Sequence, residues 1–203
     1  MAPVEVRQIT FFFKGKRNYI QGPDIFNAMI EGYLPATLKN IRFFVHDLVL
    51  VPKCRLYLAD SKEEMNAVHN IKARCQYDVG GVTRWLALTP ADADPSKGGR
   101  QEYDEDRVIS LCRTDIGSIV LSQRSPFTFM ENIVSMNKHL HQHLFPDMTG
   151  KWLFTRVDLR VGCDSRENVE LIFRHNMNFR LTKSDILVDG KKAGELFFSL
   201  VKP

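Results

Sequence analysis

The stretch "PFTFMENIVSMNKHLHQHLF", Pro126–Phe145, decides the fold that we predict for this chain. One apolar stripe recurs in it at the helical spacings of four and three, and it consists of Phe129, Ile133, Met136, Leu140 and Leu144. Three β-rich runs follow: "WLFTRVDLRV", "NVELIFRHNMNFRLT" and "DILVDGKKAGELFFSLV". A single helix before a strand meander predicts that this stripe packs against the concave face of an antiparallel sheet.

The first part of the chain repeats this order of elements. A helix-like run, "PDIFNAMIEGYL" (Pro23–Leu34), precedes "IRFFVHDLVLV", "CRLYLAD" and "IKARCQYDVGGVTRWLALTP". The last strands of both parts follow a Gly-Gly or Asp-Gly pair, and such pairs indicate hairpins because their residues need positive φ. "TPADADPSKGGRQEYDEDR" (Thr89–Arg107) predicts a linker or long surface loop between the parts. We therefore expect two halves, residues 1–95 and 96–203.

The composition excludes several classes of protein. The chain has 203 residues, of which 44% are hydrophobic, and a net charge of +4 carried by scattered Lys and Arg, so we expect no nucleic-acid partner. The four cysteines form no C-x-x-C pair, which favours reduced, mostly buried thiols over a zinc ribbon. No apolar run approaches a membrane span and the first residues lack a signal-peptide pattern, so we expect a cytoplasmic protein without membrane contact.

A helix followed by a curved antiparallel meander in about 100 residues resembles the hotdog fold, and two in tandem resemble a double hotdog. The second half, "SPFTFMENIVSMNKHLHQHLFPDMTGKWLFTRVDLRV", is also similar to the hotdog domain of the A-factor (γ-butyrolactone) biosynthesis family. Glu131 matches that family's helix glutamate, although this chain has Asn132 and Ile133 where the family usually has Arg-Gln.

The resemblance implies an α+β double hotdog, with two long helices each wrapped by a curved antiparallel sheet and the two sheets joined into one. It implies an enzyme of fatty-acid, polyketide or signalling-lipid metabolism that processes acyl thioesters. The substrate would be carried by coenzyme A or an acyl carrier protein, and the reaction would be acyl transfer, thioester hydrolysis or dehydration. No separate cofactor is implied, and a homodimer of double hotdogs stays open.

Glu131 is the first candidate catalytic residue. Phe127, Met130 and Val134 form a second, shorter apolar patch around it, which we expect to line a cleft between the halves and to bind the acyl chain. In such a cleft the charged form of the carboxylate is disfavoured, so that it can exchange protons near neutral pH. The alternative is that Glu131, about one turn from the helix start, only interacts with the positive end of the helix dipole.

His46 is the second candidate, because both faces of its predicted strand are apolar and the histidine is therefore expected in the interior. It would either be hydrogen-bonded within the core or reach the cleft and form an acid and base pair with Glu131.

Four basic residues are candidates for binding the phosphates of coenzyme A or of a phosphopantetheine arm. Lys14, Lys16 and Arg17 lie in "KGKRNY", and Arg124 lies just before the second helix, whose N-terminus favours an anion. A solvated turn would equally explain "KGKRNY".

Three of the chain's six histidines lie at the end of the second helix. His139 and His143 project from one flank and could share a metal ion, with His175 as a remote third ligand. No H-E-x-x-H pattern accompanies them, so we expect no metal site and explain the histidines by their favourable interaction with the helix C-terminus.

Two further hypotheses stay open. The chain could be a non-catalytic hotdog that binds an acyl ligand or stabilises a partner in a biosynthetic complex. It could also be a duplicated β-rich interaction module unrelated to hotdogs.

Overall fold

The computed structural model describes residues 5–91 and 98–202, and the chain divides into two compact units between Tyr103 and Asp104. The predicted boundary after residue 95 lies outside the described residues. The structure is α+β, with mostly antiparallel strands and few helices. In the described residues, no helix is long and apolar enough to cross a membrane.

The first unit contains seven strands and two α-helices in its described part. The strands are β1 (Glu5–Thr10), β2 (Phe13–Lys14), β3 (Lys39–Val45), β4 (Lys53–Ala59), β5 (Ala73–Val79), β6 (Val82–Pro90) and β7 (Arg100–Gln101). The helices are α1 (Gly22–Met29) and α2 (Lys62–Asn66). Five strands pair antiparallel in the order β1-β4-β6-β5-β3, while β2 and β7 form a separate parallel pair.

The second unit is built around the longest helix. Its helices are α3 (Asp106–Ile109) and α4 (Phe129–Leu144), and its strands are β8 (Cys112–Asp115), β9 (Ser118–Leu121), β10 (Lys151–Val161), β11 (Val169–Met177), β12 (Leu181–Val188) and β13 (Lys191–Val201). The strands pair antiparallel in the order β8-β9-β11-β12-β13-β10. Helix α4 packs on β9, β10 and β11.

The predicted stripe of α4 is confirmed as core. Phe129, Ile133, Met136 and Leu140 are buried, and only Leu144, at the end of the helix, is partly exposed. Burial of one apolar face against a sheet is the main source of helix stability in a folded protein, so this stripe holds α4 on its strands.

Helix α1 is shorter than predicted. The expected helix ran to Leu34, but α1 ends at Met29 after eight residues, so the prediction of two long helices is wrong for the first unit. Gly32 takes a φ of +88° and a 3₁₀ turn starts at Pro35, and neither conformation continues an α-helix. The buried face of α1 still packs on the sheet, with Phe26 edge-to-face against Phe43.

Both predicted hairpin turns are confirmed. Gly80 and Gly81 join β5 to β6 with φ values of +59° and +81°. Asp189 and Gly190 join β12 to β13 with φ values of +49° and +73°. Two successive residues at positive φ fit the twist of the flanking strands, which is why these pairs predicted the turns correctly.

The predicted helix and meander strands follow one another in the same order in both units, with α2 added between β4 and β5, but the strand pairing differs. In the first unit the last meander strand, β6, lies between β4 and β5, whereas in the second unit β13 lies between β12 and β10. The described part of the predicted linker is also partly regular. It contains the end of β6 with the buried Thr89, strand β7 and the start of α3.

Gly194 is a position where a side chain cannot be accommodated. A Cβ atom added there would lie 2.1 Å from the backbone oxygen of Asp158 on the paired strand β10. We expect Gly194→Ala to lower the free energy of unfolding by about 1–3 kcal/mol, because β10 and β13 would have to move apart. Urea denaturation measures this change.

Gly117→Ala is the control for Gly194→Ala, because a Cβ there meets no atom within 4 Å and only the φ of +79° opposes it. A Gly194→Ala variant as stable as the Gly117→Ala variant would contradict the steric argument.

Candidate functional site

The start of α4 is fixed by a capping box. Thr128 is the N-cap, and its Oγ1 accepts a hydrogen bond from Glu131 N at 3.3 Å. In return Glu131 Oε2 accepts hydrogen bonds from Thr128 N at 2.9 Å and from Thr128 Oγ1 at 2.8 Å. The sequence T-F-M-E produces this arrangement because a Thr and a Glu three residues later satisfy each other's backbone donors.

Glu131 is also buried, with 7% of its surface exposed. Of the apolar residues around it in the sequence, Met130 is buried, and Phe127 and Val134 are partly buried. Glu131 is therefore both buried, as one of the two alternatives expected, and placed at the helix start, as the other expected, where it also forms a capping box that was not predicted. The two donors of Thr128 therefore fix the orientation of the Glu131 carboxylate in a partly apolar setting.

A second polar pair holds the loop that leads into α4. Ser125 Oγ donates to Asn132 Oδ1 at 2.7 Å, and both residues are buried. The same hydroxyl accepts from Phe127 N at 3.1 Å, while Ser125 N donates to the backbone oxygen of Arg166. The loop therefore enters the helix in a defined direction. Sequence analysis missed this pair, although a serine and an asparagine flanking the cap were visible.

The prediction that His46 is an interior residue is wrong. His46 is exposed and lies one residue beyond the end of β3, with its ring stacked beside that of Phe44. The strand ends early because Asp47 turns the chain: its Oδ1 accepts a hydrogen bond from Leu48 N, and its Oδ2 binds Lys72. Partial desolvation, and secondarily the charge of Arg74, lower the pKa of His46.

His46 and Glu131 belong to different units, so their predicted partnership stays a prediction. The same holds for the predicted cleft between the halves and for the joining of the two sheets.

The three histidines of α4 differ from one another. His143 is exposed and His139 is partly buried, but His141 is completely buried, which corrects the expectation that all three lie at the surface. His141 Nδ1 lies 2.6 Å from the backbone oxygen of Asn137, and Nε2 lies 2.6 Å from Thr182 Oγ1. Burial lowers the pKa of His141 to about 4, although the hydrogen bond to Asn137 opposes the change.

The contacts of His141 and its lowered pKa together give its protonation. A backbone oxygen can only accept, so Nδ1 carries the proton. Because the lowered pKa keeps the ring neutral at pH 7, Nε2 accepts from Thr182 Oγ1, and the single hydroxyl hydrogen of Thr182 is then not donated to the backbone oxygen of Phe198 at 3.2 Å. Aromatic rings enclose the imidazole, with Trp152 at 4.4 Å and Phe198 at 5.5 Å between ring centroids. His141 is therefore a neutral, hydrogen-bonded core residue.

Asn137 extends this buried polar group. Its Oδ1 accepts from Ser184 Oγ at 2.7 Å, while its Nδ2 has no hydrogen-bond partner among the described residues. Both side chains are fully buried. This network was not predictable from the sequence, because Asn137 and Ser184 lie on different elements that only the fold brings together.

No three His, Cys, Asp or Glu side chains of the described residues lie close enough to hold a metal ion. His175, the predicted third ligand, is exposed on β11. All four cysteines are free thiols, and Cys54 and Cys75 are buried.

We expect protein purified without a histidine tag to contain no stoichiometric zinc, because His139 and His143 provide only two ligands and a stable site needs three or four. Elemental analysis checks this prediction. One zinc ion per chain that is lost on replacing both histidines by glutamine would contradict it.

The candidate phosphate ligands have different surroundings. Lys14 is partly buried, pairs with Asp24 and lies 5.2 Å from the centre of the Tyr103 ring. Arg17 approaches the same ring from 5.8 Å. Lys16 and Arg124 are exposed. Lys14 and Arg17 thus contribute to the packing of their own loop, whereas Lys16 and Arg124 are placed to meet a ligand from solution.

Comparison with solved structures identifies the fold of the chain. No family model and no curated protein matches the chain. Among solved structures, the dehydratase domain of PpsC from Mycobacterium tuberculosis in complex with C12:1-CoA is similar with a TM-score of 0.51 and 8% identity, over 98% of this chain and 94% of that chain. The chain has the hotdog fold, so the hypothesis of an unrelated β-rich interaction module is wrong.

Two further structures have lower scores. The tesB protein of Mycobacterium avium subs paratuberculosis has a TM-score of 0.49 and 5% identity, over 96% of this chain and 93% of that chain. An acyl-ACP thioesterase from Bacteroides thetaiotaomicron has a TM-score of 0.45 and 7% identity, over 97% of each chain. At such identities the likeness concerns the fold alone. The closer resemblance of the second half to the A-factor family stays a prediction.

Proposed function

We propose that the chain is a double hotdog enzyme that acts on acyl groups carried as thioesters by coenzyme A or an acyl carrier protein. The observation that carries the proposal is Glu131, a buried carboxylate at the start of the long helix of the second unit. Helix α1 of the first unit has only Asn27 and Ala28 near the matching place, so we expect one active site per chain.

In the proposed hydrolytic reaction, Glu131 removes a proton from a water molecule whose oxygen attacks the thioester carbonyl. The tetrahedral intermediate collapses, the carbon–sulfur bond breaks, and the departing thiolate takes the proton back from Glu131. In a dehydration, the same carboxylate would remove the α-proton of a 3-hydroxyacyl thioester and return it to the departing hydroxyl group, which leaves as water while the carbon–carbon double bond forms. Both roles need a carboxylate that is held in place and shielded from bulk water, as the capping box and the burial of Glu131 provide.

The substrate contacts follow the chemistry of an acyl thioester. Phe127 and Val134, which are partly exposed, are the proposed contacts of the acyl chain, and Met130, which is buried, would support them from beneath. Exposed Lys16 and Arg124 are suited to the phosphates, with Lys14 and Arg17 supporting the basic loop. His46 is retained as a proposed second acid or base. The reaction as written uses no cofactor, and an acyl carrier protein is the proposed protein partner.

One observation favours a second candidate function. Oε2 of Glu131 already accepts two hydrogen bonds within the capping box, which a purely structural glutamate would also do. In this alternative the chain binds an acyl ligand, or stabilises a partner, without converting anything.

Mass spectrometry of reaction mixtures distinguishes the two candidates. The purified chain is incubated with saturated and 3-hydroxyacyl coenzyme A thioesters of increasing chain length, and also with phosphopantetheine-linked analogues. Release of free thiol or loss of water, both faster than without protein, supports the enzyme. Intact thioester that co-purifies with the chain supports the non-catalytic alternative. If the chain neither binds nor converts any of these thioesters, both candidate functions are wrong.

A further inference from the structure

An open pocket of about 370 Å³ lies in the first unit, and of its lining residues only His46 has a role in the proposed reaction. It is lined by the end of β3, the connection from α2 to β5, and the start of β5: His46, Val68, His69, Asn70, Ile71 and Arg74. Four of these six side chains carry N–H groups, and the lining contains no carboxylate.

Arg74 is the central feature of this pocket. Its side chain is only partly exposed, yet it forms no ion pair with any described residue, and its buried Nε has no hydrogen-bond partner among them. A buried N–H group without an acceptor is unfavourable, and the partly exposed remainder of the guanidinium is free to bind an anion from solution. Asp47, the nearby carboxylate in the sequence, is already paired with Lys72.

Backbone hydrogen bonds fix two of the segments that line the pocket. His46 N and Asp47 N both donate to the backbone oxygen of Lys72, and Lys72 N donates to that of Leu88. These bonds tie the end of β3 to the start of β5. Asn70 adopts a φ of +55°, which turns the connection back towards the sheet. The backbone segments that carry the lining residues are thus tied to the sheet.

We propose that this pocket binds a phosphate ester, with the phosphate on Arg74, His46 and His69 and the organic part against Val68 and Ile71. The phosphate is favoured because a guanidinium and two imidazoles present several donors to one compact anion. The apolar pair favours an ester over free phosphate, and the pocket volume exceeds what a phosphate group alone would fill. Desolvation, and secondarily the positive charge of Arg74, lower the pKa of His46. A bound anion would offset that positive charge.

The test compares phenyl phosphate, inorganic phosphate and phenol by isothermal titration calorimetry and by NMR of the full chain. We expect phenyl phosphate to bind more tightly than phosphate, phenol not to bind, and the backbone amides of residues 68–72 to shift most. Arg74→Gln should weaken binding of phenyl phosphate about tenfold or more, because it removes the central charge.

Arg42→Gln is the matched control, since it removes the same charge from an exposed position on β3, the strand that ends at the pocket. It should leave the affinity within a factor of about two, because exposed charges outside the pocket are screened by salt.

His69→Asn, at an exposed pocket position, provides a second variant that should fold normally and weaken binding. Absence of binding at millimolar phenyl phosphate, or equal weakening by Arg42→Gln and Arg74→Gln, would overturn the proposal. Neither result would bear on Glu131 or on acyl thioesters.

Discussion

Replacing Glu131 by glutamine is expected to lower the turnover of an acyl thioester by about 100-fold to 10,000-fold, while the melting temperature stays near that of the parent. The amide cannot take up and return a proton, which removes the proposed chemistry. Glutamine is nevertheless accepted at the third position of a capping box, so the start of α4 keeps its hydrogen bonds to Thr128. Steady-state kinetics and thermal unfolding of the two proteins measure both effects.

Thr128→Ala is the matched control, because it changes the same capping box but keeps the carboxylate. Loss of the N-cap oxygen should cost about 1 kcal/mol of stability, with a much smaller loss of turnover. The opposite pattern is also informative. If Thr128→Ala lowered turnover as much as Glu131→Gln, the helix start rather than proton exchange would limit the reaction. Unchanged turnover in Glu131→Gln would favour the non-catalytic alternative.

The second large effect concerns the stability of the chain in mild acid. The pKa of His141 is lowered to about 4 in the folded protein by burial, whereas a histidine of the unfolded chain titrates near its ordinary value of about 6.5. Between these values the unfolded state binds more protons than the folded state, so stability is full above pH 6.5 and falls as the pH approaches 4. The loss from His141 alone is about 3 kcal/mol, because each pKa unit corresponds to about 1.4 kcal/mol.

Urea denaturation at intervals from pH 7.5 to 4 tests this expectation. His141→Gln should be less stable than the parent at pH 7, because the enclosed imidazole is lost, but its stability should depend less on pH. His139→Gln is the control: burial lowers the pKa of His139 as well, yet that residue is only partly buried and its contribution is screened by water. A parent protein whose stability is constant from pH 6.5 to 4 would contradict the assignment.

The fold was predictable where local chemistry and periodicity agreed. The stripe of α4 and both glycine-containing hairpins needed only residues close in sequence, and they were predicted correctly. Helix α1 was predicted too long because the helical spacing of its apolar residues continues past Gly32. That spacing does not show that the helix ends at Met29 and that Gly32 adopts a positive φ. Helix α2 was not predicted, although Ser61 and Glu64 show the spacing of an N-terminal cap. The exchanged strand order depends on pairing between distant residues, which no local pattern encodes.

The burial of Glu131 was predictable, but its capping box was not recognised. Its apolar neighbours in the sequence indicated burial, whereas the alternative considered was only an interaction with the helix dipole, although Thr128 three residues earlier shows the spacing of a cap. His46 and His141 were both misplaced because an apolar neighbourhood in the sequence does not reveal where a strand ends or which helix face is covered. The pocket at Arg74 combines residues from three segments, and only the folded first unit brings them together.

The capping box has a consequence for how related sequences will diverge. Because Glu131 stabilises the helix start as well as supplying the proposed acid, a lineage that abandoned the reaction would still be selected against losing this side chain altogether. Glutamine is the replacement that keeps the cap and removes the proton exchange. Among homologues, Gln in place of Glu at this position is therefore expected in proteins that bind an acyl ligand but no longer catalyse the proposed reaction.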